Sequence, residues 1–425
     1  MSSRWKGARD LVFESVELVS RLVEKTQREE SERWTERVAL IEPAAPIARG
    51  VNALHLTSAA LTHTSIRMVA RAVGLVARGA TDPFLEDDDT EGTPIREDAM
   101  GTRSWWVDHV ESALNGLYGD FLAERDNALD LGMTLRHDGR VVPITPEGLA
   151  AAIEAPKKRL CVFVHGLTAT EWSWCVEAGR FWGDPGGCFG SELQGRGITP
   201  LYVRYNTGRH ISDSGRALDE LLEGLADAYP VAIDEITLVG HSMGGLVVRS
   251  ATHQAAERDA RWVTSLRQVF CIGSPHLGAP LEKGVNAVTA VLRRIPAAGA
   301  SVPADLLEGR SSGIKDLRYG YTLEQEWRDA DAHAVLHDNR HPVPLVDGVS
   351  YFAVAATVTR DPQHPAGRLL GDLLVRTGSA QGRADSAERH IPFHGTQVLA
   401  GMNHLHLANH PAVYAILAQT LGVED

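Results

Sequence analysis

The sequence predicts an α/β fold, a mainly parallel sheet flanked by helices, and three observations carry that prediction. Short, nearly all-apolar runs recur through the second half of the chain, among them RLCVFV (159–164), ITLVG (236–240) and VFCI (269–272). A strand with one face in water alternates apolar and polar residues, so runs that lack the alternation belong to strands covered on both faces. Helical stretches such as SGRALDELLEGLADAYP (214–230) lie between them, which is the alternation of a parallel sheet crossed by helices. Finally, one of these strands runs straight into a glycine-flanked serine and then a helix.

In chain order, LVFESVELVSRLVEKTQ (11–27) and IRMVARAVGLVARG (66–79) carry an apolar stripe at helical spacing. Residues 1–84 are therefore expected to form a helical N-terminal extension. The second stretch carries arginines on its polar face. Docking on the main domain is the expected role, with peripheral membrane contact as the alternative. LEDDDTEGTP (85–94) is a polar acidic break, and the catalytic domain is placed at 95–425. It opens with a helix over TRSWWVDHVESALNGLYGDFLAER, then a hairpin LGMTLRHDGRVVPIT turning at His-Asp-Gly. TPLYVRYNTG and SYFAVAATVT supply further strands, and HPAVYAILAQTLG a closing helix. About seventy residues between GSPHLGAP and SYFAVAA hold two short helical patterns and no strong strand. That is long for a connection, and 281–345 is assigned to an inserted cap.

Composition excludes several classes. The 425 residues are 44% hydrophobic and 23% charged, ordinary for a folded chain with a sizeable core. A net charge of −13 argues against a general nucleic-acid binder, which needs concentrated basic surface. No basic stretch followed by an apolar core and cleavage site opens the chain. Val51 to Ala80 is interrupted by His55, His63, Arg67, Arg71 and Arg78, and so lacks the run of about 20 apolar residues a spanning helix needs. A cytoplasmic protein without a transmembrane segment is expected. Cys161, Cys175, Cys188 and Cys271 are too sparse for a disulfide framework and form no CxxC pair. Cys161 and Cys271 are expected in the core. Cys175 and Cys188, thirteen residues apart, are expected to stay unpaired in an intracellular protein. No cofactor or metal site is expected: GHSMGG follows a strand, but it is not the G-x-G-x-x-G of a dinucleotide site.

GHSMGG (240–245) carries the chemistry. Strand ITLV before it and helix LVVRSATHQAAE after it supply the context in which G-x-S-x-G presents a nucleophile. So sharp a turn forces a strained backbone at Ser242, and Gly240 and Gly244 leave room for passing chain. A serine hydroxyl needs a base to attack and donors aimed at the oxyanion it creates. The Met243 amide, just past the serine, is one expected donor. The Leu167 amide, in the loop after the apolar strand VFVHGL, is the other. His165 in that loop is expected to shape it, and stands beside the substrate pocket. Among 18 histidines the base is sought downstream of the serine. GMNHLHLANHP offers His404, His406 and His410; His404, in the turn after the strand-like QVLAG, is preferred. For the acid that orients the imidazole, Asp361 and Asp372 both lie beyond strand ends, and position leaves them unranked.

VFVHGL (162–167), GHSMGG, GSPHLGAP (273–280), GDLLVRTGSA (371–380) and GMNHLHL…HPAVY (401–414) resemble the α/β-hydrolase superfamily, and within it bacterial triacylglycerol lipases and PGAP1-like esterases. The resemblance spans about residues 155 to 420. It implies an α/β-hydrolase fold with Ser242 as nucleophile, His404 as base, and the Leu167 and Met243 amides as oxyanion donors. It also favours Asp372, since such lipases carry the acid in an Asp-Gly-Leu-Val stretch; here Leu373 stands at the glycine position. These lipases are often secreted and some hold calcium, features with no counterpart in this sequence. The implied activity is cleavage of a small-molecule or lipid carboxylic ester through an acyl-enzyme. An amidase, thioesterase or acyltransferase on the same scaffold is the alternative, and a non-catalytic lipid-binding or scaffold protein a more distant one. Trp172 and Trp174, with Phe181 and Trp182, lie just beyond the oxyanion strand, where they would line a substrate pocket or pack the cap on the core.

Overall fold

The near-absence of polar alternates in the strands is explained once the sheet is seen to be covered on both faces. The computed structural model describes residues 102–279, 311–328 and 339–424, apart from loop positions 125, 126, 128, 363, 365, 366, 368, 369 and 385. The helices expected within 1–84, the acidic break at 85–94 and much of the expected cap (280–310 and 329–338) lie outside the described residues. Eight strands form one sheet: β1 Met133–His137, β2 Arg140–Val141, β3 Arg159–Val164, β4 Ile198–Tyr205, β5 Glu235–His241, β6 Leu266–Ile272, β7 Ser350–Thr357 and β8 Gly395–Ala400, in the order β2-β1-β4-β3-β5-β6-β7-β8. From β4 through β8 all neighbours are parallel. Only the opening hairpin runs antiparallel. Its turn places Asp138 at φ 47° and Gly139 at φ 75°, the paired left-handed residues that suit a two-residue hairpin.

Strand β3 shows the layering residue by residue. Leu160, Val162 and Val164 join the core layer beneath the helices Ile211–Ala228 and Met243–Glu257, while Cys161 and Phe163 join the opposite layer with Trp174, Phe189 and the closing helix Pro411–Leu421. Each fully buried side chain of this size contributes about 1.5–3 kcal/mol relative to exposure, so the continuous apolar run is what two-sided burial requires. In the first helical layer, Leu218, Leu222 and Leu225 recur at helical spacing on the buried face. Among the described residues no helix is long and apolar enough to cross a membrane.

The topology itself locates a crevice. Strand β3 lies between β4 on one side and β5 on the other, so the chain reverses its direction of travel across the sheet there. Loops leaving the carboxyl ends of β3 and β5 diverge at such a point, and the gap between them is where open α/β sheets bind ligands. Those two loops are His165–Gly166–Leu167 and the turn at Ser242.

Candidate active site

At the end of β5 the chain passes through Ser242 at φ 56° and ψ −124° and enters the helix Met243–Glu257. A non-glycine residue with positive φ is strained by about 1–3 kcal/mol and persists only where its surroundings over-determine it. The flanking glycines do that. A Cβ on Gly244 would lie 2.1 Å from the Val164 carbonyl oxygen, and one on Gly240 would lie 2.5 Å from Gly245 Cα. The Ser242 amide donates to the Ile272 carbonyl at 2.8 Å, tying the turn to β6.

The loop after β3 lies against the serine: a Cβ on Gly166 would stand 2.9 Å from Ser242 Cβ. Leu167 follows in this loop, and the next residue, Thr168, holds φ 56°. Several contacts keep it in place. The Tyr205 hydroxyl donates to the His165 carbonyl at 2.9 Å, the Thr168 amide donates to Thr207 Oγ1 at 3.1 Å, and Ser112 Oγ donates to the Ala169 carbonyl. His165 is wholly buried, its ring stacked on Tyr205 at 4.6 Å. Its Nδ1 donates to the Gly166 carbonyl at 2.9 Å. Burial pushes its pKa down to about 3, so it stays neutral and shapes the loop.

Asp372 and His404 meet directly. His404 Nδ1 lies 2.7 Å from Asp372 Oδ2, and both side chains are almost completely buried. With a carboxylate on one side, Nδ1 carries the proton and Nε2 is left as the basic nitrogen. The other carboxylate oxygen accepts from the Leu374 and Val375 amides at 3.0 and 2.8 Å, and the His404 amide donates to the Asp372 carbonyl at 3.1 Å. This tight turn holds Leu373 at φ 85°, which is why a glycine suits the position. Asp361 is exposed, and its carbonyl accepts from Thr359 Oγ1. His406 Nε2 lies 3.3 Å from Glu177, and His410 caps the closing helix through Nδ1 and the Ala412 amide.

The loop tryptophans divide. Trp174 is fully buried between Phe163 and Phe189, at ring distances of 4.9 and 6.2 Å, which places it in the core layer. Trp172 packs on the hairpin turn at Gly139 and donates from Nε1 to Asp108 at 3.0 Å. Phe181 stands edge-on to His406 and His410, and Trp182 donates to Asn409, so both brace the histidine loop. Cys161 and Cys271 are buried in the core, and all four cysteines are free thiols.

Sequence reading did not find the support behind the loop that follows β3. Arg204 on β4 is buried and donates to both Glu171 oxygens at 2.7 and 2.6 Å and to Asp108 at 2.6 Å. Burial opposes the Arg204 charge, but hydrogen bonds to Asp108 and Glu171 outweigh it and hold its pKa above the usual value. Burial likewise opposes the Asp108 charge, and Arg204 outweighs it, holding that carboxyl below its usual range. An arginine inside an otherwise apolar strand is the signal that was present.

Residues 203–340 match the family model of the PGAP1-like alpha/beta domain. No curated protein sequence matches the chain significantly. Among solved structures, the mature form of the lipase BlEst2 from Bacillus licheniformis is similar over 63% of this chain and 95% of its own, at 18% identity and a TM-score of 0.41. The RedJ thioesterase of prodiginine biosynthesis from Streptomyces coelicolor aligns over 63% and 91%, at 18% identity and 0.36. Naproxen esterase from Bacillus subtilis aligns over 62% and 83%, at 12% and 0.34. With its mostly parallel eight-stranded sheet and its serine turn at the switch point, the chain has the α/β-hydrolase fold, and its segment 203–340 resembles the PGAP1-like α/β domain.

Proposed function

We propose that the protein is a serine hydrolase of carboxylic esters acting through an acyl-enzyme, with Ser242 as nucleophile, His404 as base and Asp372 as the acid that orients it. The observation that carries this reading is the 2.7 Å contact between His404 Nδ1 and Asp372, on a loop beside a serine held at positive φ at the strand-to-helix turn. Ser242 Oγ attacks the ester carbonyl carbon while His404 Nε2 takes the hydroxyl proton. The carbonyl π pair moves onto oxygen, where the Leu167 and Met243 amides receive the oxyanion. Collapse of the intermediate breaks the bond to the alkoxy oxygen, which leaves as the alcohol with the proton from His404. Water, losing a proton to the same nitrogen, then attacks the acyl-enzyme and releases the acid. Asp372 stays ionised throughout and stabilises the imidazolium.

Trp172 and Trp174 have packing roles, against the hairpin turn and in the core, and are not assigned to the acyl group. In the test, Ser242→Ala is compared with wild type on p-nitrophenyl butyrate. Turnover is expected to fall to background with an unchanged thermal midpoint; full activity in the variant would sink the assignment. A chain-length series of p-nitrophenyl esters then separates short-chain esterase from lipase.

A further inference from the structure

We propose that His241, the residue before the elbow serine, is a positioning residue that holds the base-bearing loop in register with the nucleophile. The proposal rests on the assignment of Ser242, His404 and Asp372 above. His241 Nε2 lies 3.0 Å from the backbone carbonyl oxygen of His404, 163 residues further along the chain. A carbonyl oxygen can only accept, so this hydrogen bond requires the proton on Nε2 of His241.

The geometry shows why this bond matters. His404 has two hydrogen bonds to Asp372, one from its backbone amide and one from its ring. Both fix the histidine relative to the acid, and the acid itself sits in a turn strained at Leu373. Neither fixes it relative to the serine. The bond from His241 does, because His241 is the last residue of β5 and covalently precedes Ser242. The strand that presents the nucleophile therefore also holds the loop that presents the base.

The ring is fitted for the task. His241 is buried, with Trp174 edge-on at 6.2 Å and the His404 ring at 4.8 Å. Burial, reinforced by the neighbouring His404, pushes its pKa down to about 3. It therefore remains a neutral donor at working pH, and adds no like charge beside His404 when that ring takes the serine proton. A lysine or arginine in this place would oppose the imidazolium, and an apolar side chain would leave a buried carbonyl unpaired.

The test compares His241→Met with His241→Gln, side chains of similar length of which only glutamine carries an N–H donor. Each is assayed for p-nitrophenyl butyrate kinetics, for the rate of Ser242 labelling by a fluorophosphonate, and for thermal midpoint. A base displaced by about 1 Å costs up to about 100-fold. His241→Met is expected to lose roughly 10- to 100-fold in kcat and in labelling rate with KM little changed, and its midpoint to fall by a few degrees because the His404 carbonyl is left unpaired. His241→Gln is expected to stay within about threefold of wild type on the same grounds. Wild-type kcat in His241→Met, or equal losses in both variants, would overturn the proposal. If the variants do not fold, imidazole NMR of the wild type decides: a slowly exchanging Nε2–H on His241 at pH 7 supports it, and an Nδ1–H tautomer refutes it. A wild type that neither turns over ester nor reacts with the fluorophosphonate would instead overturn the hydrolase assignment.

Discussion

Two residues with positive φ stand on either side of the proposed chemistry, and their origins differ. Ser242 at φ 56° is held between Gly240 and Gly244, where a Cβ would collide with neighbouring backbone. Leu373 at φ 85° is not so enclosed, being half exposed on the turn that follows Asp372. A γ-branched side chain in this region costs about 1–2 kcal/mol that glycine avoids, offset in part by the greater freedom of glycine in the unfolded chain. Leu373→Gly is therefore expected to raise the thermal midpoint by about 2 °C while leaving the Asp372–His404 contact in place. Differential scanning fluorimetry checks it, and a lowered midpoint would mean that the exposed leucine makes a contact worth more than the strain. The Leu373 departure from the Asp-Gly-Leu-Val pattern was visible in the sequence; its cost became visible only with the dihedral.

The helix Thr102–Ala123 acts on the site as an element. Through Asp108 and Ser112 it reaches Arg204, Trp172 and the Ala169 carbonyl, and Gly116 packs against Thr168. It thereby braces the loop that carries Leu167 from outside the sheet. Arg204 is the centre of this brace, and removing it would leave Asp108 with the Trp172 donor and Glu171 with Arg136 at 3.9 Å. Breaking such a pair costs about 3–5 kcal/mol. Arg204→Met is expected to lower the urea midpoint accordingly and to reduce kcat, whereas Arg204→Met combined with Asp108→Asn and Glu171→Gln should recover part of the stability. A single variant as stable as wild type would show that the network is not a brace. The histidine loop is supported by Phe181 and Trp182, and by strand alternation Arg204 lies on the face of β4 that Tyr202 presents to the same Trp174 layer.

For the whole molecule, the buried histidines set a pH dependence of stability. His165 and His241 have pKa values pushed down to about 3 by burial, and burial with the nearby Arg249 charge holds His276 well below its usual value. A folded-state pKa below the ordinary 6.5 means that the unfolded chain binds more protons. The stability these residues contribute is full above pH 6.5 and is lost as pH falls toward 3. At pH 5.5 His165 and His241 each lose about 1.4 kcal/mol. Glu111, Asp316 and Glu326, raised chiefly by burial, act with the opposite sign, losing stability as pH rises through their folded values. Unfolding at pH 5.5 is expected to take up protons at the buried histidines that it does not take up at pH 8, about two at His165 and His241 together, against release from the three raised carboxyls. Calorimetry in buffers of different ionisation enthalpy measures this in wild type and in His165→Asn; the same uptake in both would mean that His165 is not held neutral.

What the sequence determined by itself was local in origin. Two-sided burial writes itself into the central strands as short, mostly apolar runs, so the parallel sheet was legible from RLCVFV to SYFAVAATVT. The Ser242 turn was legible because its strand, glycines and helix are contiguous. The loop carrying Leu167 and the turn carrying His404 were found for the same reason, each following an apolar strand. The tertiary structure decided what depends on residues far apart in the chain. Asp372 and Asp361 both follow β7, and only the folded turn brings one of them to His404. Trp174 and Trp172 are equivalent in the sequence, and the layering of the sheet sends one to the core and the other to Asp108. His241 carries no sign of its partner 163 residues away. A hydrogen bond from a side chain to a distant backbone carbonyl leaves no mark on the composition or spacing of either segment, and it is by this bond that His241 is proposed to hold the base beside its nucleophile.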